Sequence, residues 1–302
     1  MMRRYGWTAA LGFTLFFAGA PRILGQVQER SLPRILGQVQ ERSLDEIKAI
    51  EAEVEESIGW YQMFADASAR EPMPAHRVLR WLNATRKLQP ADGIFVLWVD
   101  KGRPEASASV YPWNGFIGHN IVSLSRSAKL VAREKDQVIW SPKTPGVEFH
   151  DIPGAAAPAD SPAARLRQMK DLADRFKVTM TGWNPSKTDR EVLRMLPKLL
   201  YRYEPGAAQG ADRGWTDGGV YAFVQGTDPE AILLLEAVRT ADRPRWQYAF
   251  ARATAAGLEA RLDQTMVWEV RWLTDASTPL LPQTALGREL KINAPGRKPG
   301  RS

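Results

Sequence analysis

Asp92-Gly93-Ile-Phe-Val-Leu-Trp-Val99, followed by Pro104-Glu105-Ala106, recurs in altered form as Asp217-Gly218-Gly-Val-Tyr-Ala-Phe-Val224, followed by Pro229-Glu230-Ala231. The spacing from Asp to Pro is 12 in both. Downstream, Arg126, Leu130, Ala132-Arg133 and Trp140 parallel Arg252, Leu258, Ala260-Arg261 and Trp268. Upstream, Val78-Leu-Arg-Trp-Leu82 parallels Val192-Leu-Arg-Met-Leu196. The offsets drift from 114 upstream to 125, 126 and 128, as loop insertions between equivalent elements produce. One order kept through such a stretch reads as an internal duplication.

Each copy opens on a helix signal. Ser43-Leu-Asp-Glu46 is a capping box, and Ile47, Ile50, Val54 and Ile58 recur at helical spacing. Ser161 followed by Pro162 starts the second helix, with Leu166, Met169, Leu172 and Phe176 behind it. After each helix come short runs rich in Val, Trp, Tyr and Phe, broken by Gly, Pro and Asp. Connections that short join antiparallel neighbours. The sequence therefore predicts an α+β fold of two tandem related units, each an amphipathic helix followed by an antiparallel β-meander whose apolar face the helix covers. The units fall at 43–152 and 161–272, with a Pro/Ala linker at 153–160.

The flanks read differently. Residues 1–20 start basic (Arg3, Arg4) and continue into the 13-residue apolar run Thr8–Ala20, which fits a signal peptide, with an uncleaved anchor as the alternative. Ala18-Gly19-Ala20 offers small residues for cleavage, but Pro21 disfavours a cut there, and one after Gly25 fits better. Residues 21–42 hold Pro21–Leu32, repeated letter for letter from Pro33. Twelve residues turn a helical face by about 120° past whole turns, so the copies cannot share one buried face, and the stretch reads as a linker. Residues 287–302 read as a disordered basic tail.

The net charge of +7 sits in these flanks. Residues 1–20, 21–44 and 287–302 carry +2, +2 and +4, which leaves −1 for residues 45–286. A nucleic-acid binder gathers its basic residues on a folded face, so nucleic acid is not an expected partner. With no Cys, disulfides, thiolate metal sites, a Cys nucleophile and a lipid-bearing Cys are all excluded. Three His leave little for a zinc centre.

Leu166-Arg-Gln-Met169, Leu199-Leu-Tyr-Arg-Tyr203, Phe223-Val-Gln-Gly-Thr-Asp-Pro-Glu230 with Leu233-Leu-Leu-Glu236, and Trp246-Gln-Tyr-Ala-Phe-Ala-Arg252 resemble a group of exported planctomycete proteins of unknown function. The resemblance covers roughly 77–272. It implies export and carries no activity or site residue.

Candidate chemistry is sparse. His119, in Gly-His-Asn, reads as a turn residue, and His150 as a strand-end residue beside Asp151. Asp92/Asp217 and Glu105/Glu230 occur in both copies, as do Arg126/Arg252 and Arg133/Arg261. Shared letters mark what a fold needs in every copy, so Asp-Gly reads as turn chemistry and Pro-Glu as strand entry. Of the 11 Trp, those at 98, 140, 246 and 268 lie in predicted strands, where core packing is expected. Trp113, in Tyr-Pro-Trp-Asn-Gly, is the candidate binding residue. Glu269 beside Trp268, or Asp212 with Asp217, would be the carboxylates of a glycosidase pair. No nucleotide loop, Gly-x-Ser-x-Gly elbow or His-Glu-x-x-His motif occurs, so neither cofactor nor metal is expected. The expected function is a non-catalytic exported envelope protein, without a transmembrane span once mature, acting as a scaffold or binding a hydrophobic small molecule or an envelope protein. The alternative is a polysaccharide hydrolase with carboxylates in a cleft between the units.

Overall fold

Ile94-Phe-Val-Leu-Trp-Val99 and Ala231-Ile-Leu-Leu-Leu235 are apolar at every position. A strand sends successive side chains to opposite faces, so an unbroken apolar run calls for burial on both. The computed structural model, which describes residues 3–4, 44–83, 91–113, 115–182, 190–204, 214–239, 243–275 and 277–291, supplies both faces. Strands β1 (Arg3–Arg4), β2 (Gln62–Phe64), β3 (Ala75–Asn83), β4 (Ala91–Asp100), β5 (Arg103–Trp113), β6 (Phe116–Ser123), β7 (Val131–Glu134) and β8 (Gln137–Trp140) form the first half with helix α1 (Leu44–Ser57). Then come β9 (His150–Asp151), helix α2 (Pro162–Ala173), β10 (Phe176–Gly182), β11 (Glu191–Met195), β12 (Tyr201–Tyr203), β13 (Trp215–Gln225), β14 (Asp228–Val238), β15 (Arg245–Arg252), β16 (Gly257–Leu262) and β17 (Thr265–Val270). The last strand is β18 (Gln283–Glu289).

The expected α+β class is corrected by this content. Among the described residues 52% lie in strands and 13% in helices, with two helices only, and the large antiparallel sheets include a half-barrel. The physical reason is the second buried face. The six-stranded sheet runs β1-β18-β6-β5-β4-β3 and the nine-stranded sheet β17-β16-β10-β11-β13-β14-β15-β9, with β12 beside β13. The two pack against each other. Phe95, Leu97 and Val99 of β4 meet a layer that includes Ile232 and Leu234 of β14. The alternate residues Ile94, Val96 and Trp98 face α1, while Leu233 and Leu235 face α2. Each helix therefore caps an outer face, and the core of the molecule is sheet on sheet.

Both halves use one strand order: β8-β7-β2 and β3-β4-β5-β6 in the first, β17-β16-β10-β11-β13-β14-β15 in the second. The halves differ in that β2 and β3 are separate where β10 and β11 pair. Register shifts recur at Trp98/Val99 and Phe223/Val224, and again at Ala132/Arg133 and Ala260/Arg261. Trp140 pairs with Ala132 as Trp268 pairs with Ala260.

Register also corrects one sequence correspondence. Ala106 pairs with Ser123, and its equivalent Ala231 pairs with Arg252. Likewise Leu124 N–H reaches Glu105 C=O as Ala253 N–H reaches Glu230 C=O. Arg252 thus stands where the first half has Ser123, and Arg126 has no arginine counterpart.

The shared Gly of Asp-Gly has a packing reason and lies within a strand, not in a turn. Gly93 pairs with Trp81, and a Cβ there would sit 2.5 Å from the indole. Gly218 pairs with Tyr203, whose ring would meet its Cβ in the same way. An aromatic ring from the neighbouring strand covers each glycine. The actual hairpin turns come later: Lys101 and Gly102 both have positive φ, and Gly226 does so in the second half.

The domain boundaries are crossed twice. β9, from the end of the first predicted unit, pairs with β15 of the second. β18, beyond the second unit, pairs with β6 of the first. Residues 287–289 of the predicted tail belong to β18, and Leu290 and Lys291 bond to Gly115 and Glu53. The rest of the tail, the linker 21–42 and the signal segment apart from Arg3–Arg4 lie outside the described residues. No described helix is long and apolar enough to cross a membrane.

Gly93→Ala and Gly218→Ala are expected to lose about 1–3 kcal/mol each by driving a methyl into a ring. Gly59→Ala, where nothing lies within 4 Å of the added carbon, is the neutral control. Urea midpoints of the three variants check this.

Candidate functional site

Trp140 and Trp268 occupy equivalent places, yet their surroundings differ. In the first half the chain after Thr278 fills the space beside β8. Trp140 Nε1 donates to Leu281 C=O at 2.9 Å, Ser141 N–H to Pro279 C=O, and β18 then runs along the whole of β6. Trp140 is fully buried as a result. In the second half the corresponding strand on β15 is β9, and it pairs only with Gln247 and Tyr248. The segment before it turns away, with Gly146 and Val147 N–H bonding Ser125 C=O of the first half.

The gap left behind is a cavity of about 550 Å³. Its walls include Phe149, Tyr248, Phe250, Val267 and Trp268, with Arg126 at one side. Phe250 of β15 and Trp268 of β17 stack at 5.3 Å although their strands stand at opposite ends of the second half's sheet. The sheet has therefore curled until its ends nearly meet, and the cavity is the mouth. His150 also lines it, tilted against Tyr248 at 5.7 Å, with Glu148 at 4.0 Å from Nε2. Burial raises the pKa of Tyr248, so its hydroxyl stays protonated. Aromatic rings on one side and Arg126, Glu148 and His150 on the other suit a guest that carries an apolar or aromatic group together with polar ones.

Behind Arg126 lies a buried charge cluster. Glu236 is fully enclosed in the apolar run of β14, where the first half has Tyr111. Arg103 Nε reaches Glu236 Oε1 at 2.8 Å, Tyr203 O–H donates to the same oxygen at 2.8 Å, and Arg126 binds Oε2. Arg103 also bonds Glu105 at 2.8 Å, and Arg126 lies 3.6 Å over the Phe149 ring. Burial alone would raise the Glu236 pKa, but Arg103 and Arg126 outweigh it and hold the carboxylate ionised. Glu236 and Glu105 in turn keep Arg103 charged against its own burial. Sequence reasoning passed over Glu236, although a lone carboxylate in an apolar run signals a buried partner.

The structure places the other sequence candidates as follows. Trp113 ends β5, half-buried opposite Phe116, and packs on the layer between the sheets rather than lining the cavity. Asp92 is exposed, whereas Asp217 is enclosed by Arg165 (Nε–Oδ2 2.7 Å) and Arg202 (Nη2–Oδ2 2.7 Å), pinning α2 to the sheet. Glu269 is exposed on β17, and Asp212 lies outside the described residues. The expected cleft between units is occupied by the packed sheet layer. Arg252, pushed down to about 10 by burial, holds the carbonyls of Thr254, Ala255 and Ala256. Arg133 lies over Phe64, and Arg261 bonds Gln264 C=O. Among the described residues no group of three Asp, Glu or His is placed to hold a metal.

His119 is the largest departure. It lies mid-strand in β6, buried, stacked on Trp60 at 5.0 Å. Ser57 spends its proton on Val54 C=O at 2.6 Å, so its Oγ accepts from His119 Nε2–H at 3.0 Å. Nδ1 then accepts from Tyr61 O–H at 3.0 Å. The imidazole is neutral with both nitrogens satisfied. Burial, with Arg288 nearby, pushes its pKa down to about 3.

Two stability predictions follow from these buried groups. The unfolded chain protonates His119 below about pH 6.5 and the folded chain does not, so acid weakens the fold from pH 6.5 toward 3. The slope is up to about 1.4 kcal/mol per pH unit beyond that of His119→Gln, read from urea midpoints against pH. Glu236→Gln leaves the buried Arg103 with Glu105 alone and frees the part-exposed Arg126, and is expected to cost about 3 kcal/mol at neutral pH. For Glu236 the depressed folded pKa means its contribution is present above about pH 4.5 and fades below it. The penalty of Glu236→Gln therefore shrinks in acid, which the same titration shows. No family model matches the chain, and neither a curated protein nor a solved structure matches it.

Proposed function

We propose that the chain is a non-catalytic binding protein of the cell envelope that holds an apolar or aromatic group in the mouth of its second half. The carrying observation is the contrast between equivalent mouths: one is filled by the chain's own strand, the other is a cavity walled by Tyr248, Phe250 and Trp268. A volume near 550 Å³ is in the range of small-molecule sites. Stacked rings supply apolar area at low entropic cost, and the guanidinium of Arg126, 44% exposed, offers a polar contact at the wall. Export is supported by the basic and apolar N-terminal sequence and by the resemblance to exported planctomycete proteins. Asp217 and Glu236 are tied to arginines in ways that serve packing, which supports binding over hydrolysis.

An anilinonaphthalene sulfonate dye tests the reading. One dye per chain is expected to bind saturably, with energy transfer from tryptophan. Trp268→Ala and Val267→Glu each weaken it at least tenfold, or about 1.4 kcal/mol. Equal binding by wild type and both variants overturns the assignment.

A further inference from the structure

The mouth of the second half has an unpaired strand edge as well as aromatic walls, although Ala249, Phe250 and Ala251 on that edge are themselves buried. Ile152 N–H donates to Trp246 C=O, and Tyr248 pairs with His150, both on the outer side of β15. Alternate residues of an antiparallel strand direct their backbone groups to opposite neighbours. Phe250 and Arg252 therefore point theirs outward too, while Ala253 N–H turns inward to Glu230 C=O. Among the described residues nothing pairs with the outward N–H and C=O of Phe250 and Arg252. In the first half the equivalent residues are Ile121 and Ser123. Thr284 pairs with Ile121, and Ser123 N–H bonds Pro282 C=O at 2.7 Å. The indole tells the same story. Trp140 Nε1 donates to Leu281 C=O, whereas Trp268, which lines the cavity, has no hydrogen-bond acceptor among the described residues.

We infer that the ligand of this cavity is an extended polypeptide segment that adds to β15 as a strand. This rests on the reading of the cavity as a binding site and specifies what occupies it. The segment seats as residues 281–284 seat in the first half. Its backbone pairs with Phe250 and Arg252, one of its carbonyls takes the Trp268 N–H, and an apolar side chain lies between Tyr248, Phe250 and Trp268. Main-chain bonds supply affinity and the aromatic pocket supplies selectivity, the division of labour in strand addition. A lipid or aromatic metabolite would fill the walls but leave the edge unpaired.

A pooled library of random octapeptides, together with the chain's own 279–286 octapeptide, is the probe, applied to the full chain with the dye as a parallel ligand. Bound peptides are expected to slow amide exchange at Phe250 and Arg252 at least tenfold. N-methylation at alternate peptide amides weakens them at least tenfold, while methylation of the intervening amides does not. Trp268→Phe, which removes the N–H and keeps a ring, weakens them severalfold. If the dye binds and no peptide does, strand addition falls and the cavity reading stands. Peptides that bind with no protection at Phe250 and Arg252, or with a flat N-methyl scan, also overturn strand addition. If neither dye nor peptide binds, both readings fall.

Discussion

Face-to-face packing of the two large sheets is the constraint on which the rest depends. Phe95, Leu97, Ile232 and Leu234 fill the layer between them. A polar side chain placed there must find its partners inside it. Glu236 does so with Arg103, Arg126 and Tyr203, and because those arginines come from the first half, the cluster ties one half to the other. Replacing a buried ion pair by apolar residues is often neutral, so the cluster is better understood as fixing register between the sheets than as a main source of stability. The apolar layer supplies the greater part, at roughly 1.5–3 kcal/mol for each large side chain fully buried.

The exchange of strands follows from the same constraint. A sheet that packs on both faces still has edges, and each half of this chain covers the other's. β9 leaves the first half to lie on β15, and β18 leaves the second half to lie on β6. Seven residue pairs hold β18 and two hold β9, so the coverage is unequal. That inequality makes one mouth a core and the other a cavity. It also explains why equivalent tryptophans differ: Trp140 is sealed, and Trp268 is half open.

Much of the strand pattern can be read from the sequence, because Asp92–Val99 and Asp217–Val224 are short runs rich in β-branched and aromatic residues with a glycine in the same place. The start of the second helix is readable because Ser161 and Pro162 have local jobs, and Ser161 does accept from Ala164 N–H; Ser43, the expected cap of the first, lies outside the described residues. Three features were not readable in this way. Continuous apolar runs fit one buried face under a helix as well as they fit two, and their lack of alternation is the mark of two. Arg126 and Arg252 look equivalent within the drift of the offsets, and hydrogen-bond register alone separates them. His119 follows a glycine and precedes an asparagine, which is turn composition, yet Ser57, Tyr61 and Trp60 from the end of the first helix enclose it. The cavity was the least legible part. It depends on which edge residues 279–289 choose, a non-local pairing that no local pattern encodes.

A bare strand edge is ordinarily a hazard, since it offers a template for uncontrolled pairing between chains. Here the hazard is confined. β9 takes the first part of β15, and the Arg252 side chain is drawn back onto the carbonyls of residues 254–256. The unpaired stretch is four residues, Ala249–Arg252, of which the first three are buried, beside a mouth flanked by residues 145–149 and by β17. A sheet edge brings its neighbouring strands with it, whereas a single extended segment needs only the width of one strand between those flanks. The same flanks that limit pairing along β15 would thus favour a short extended guest over a folded one.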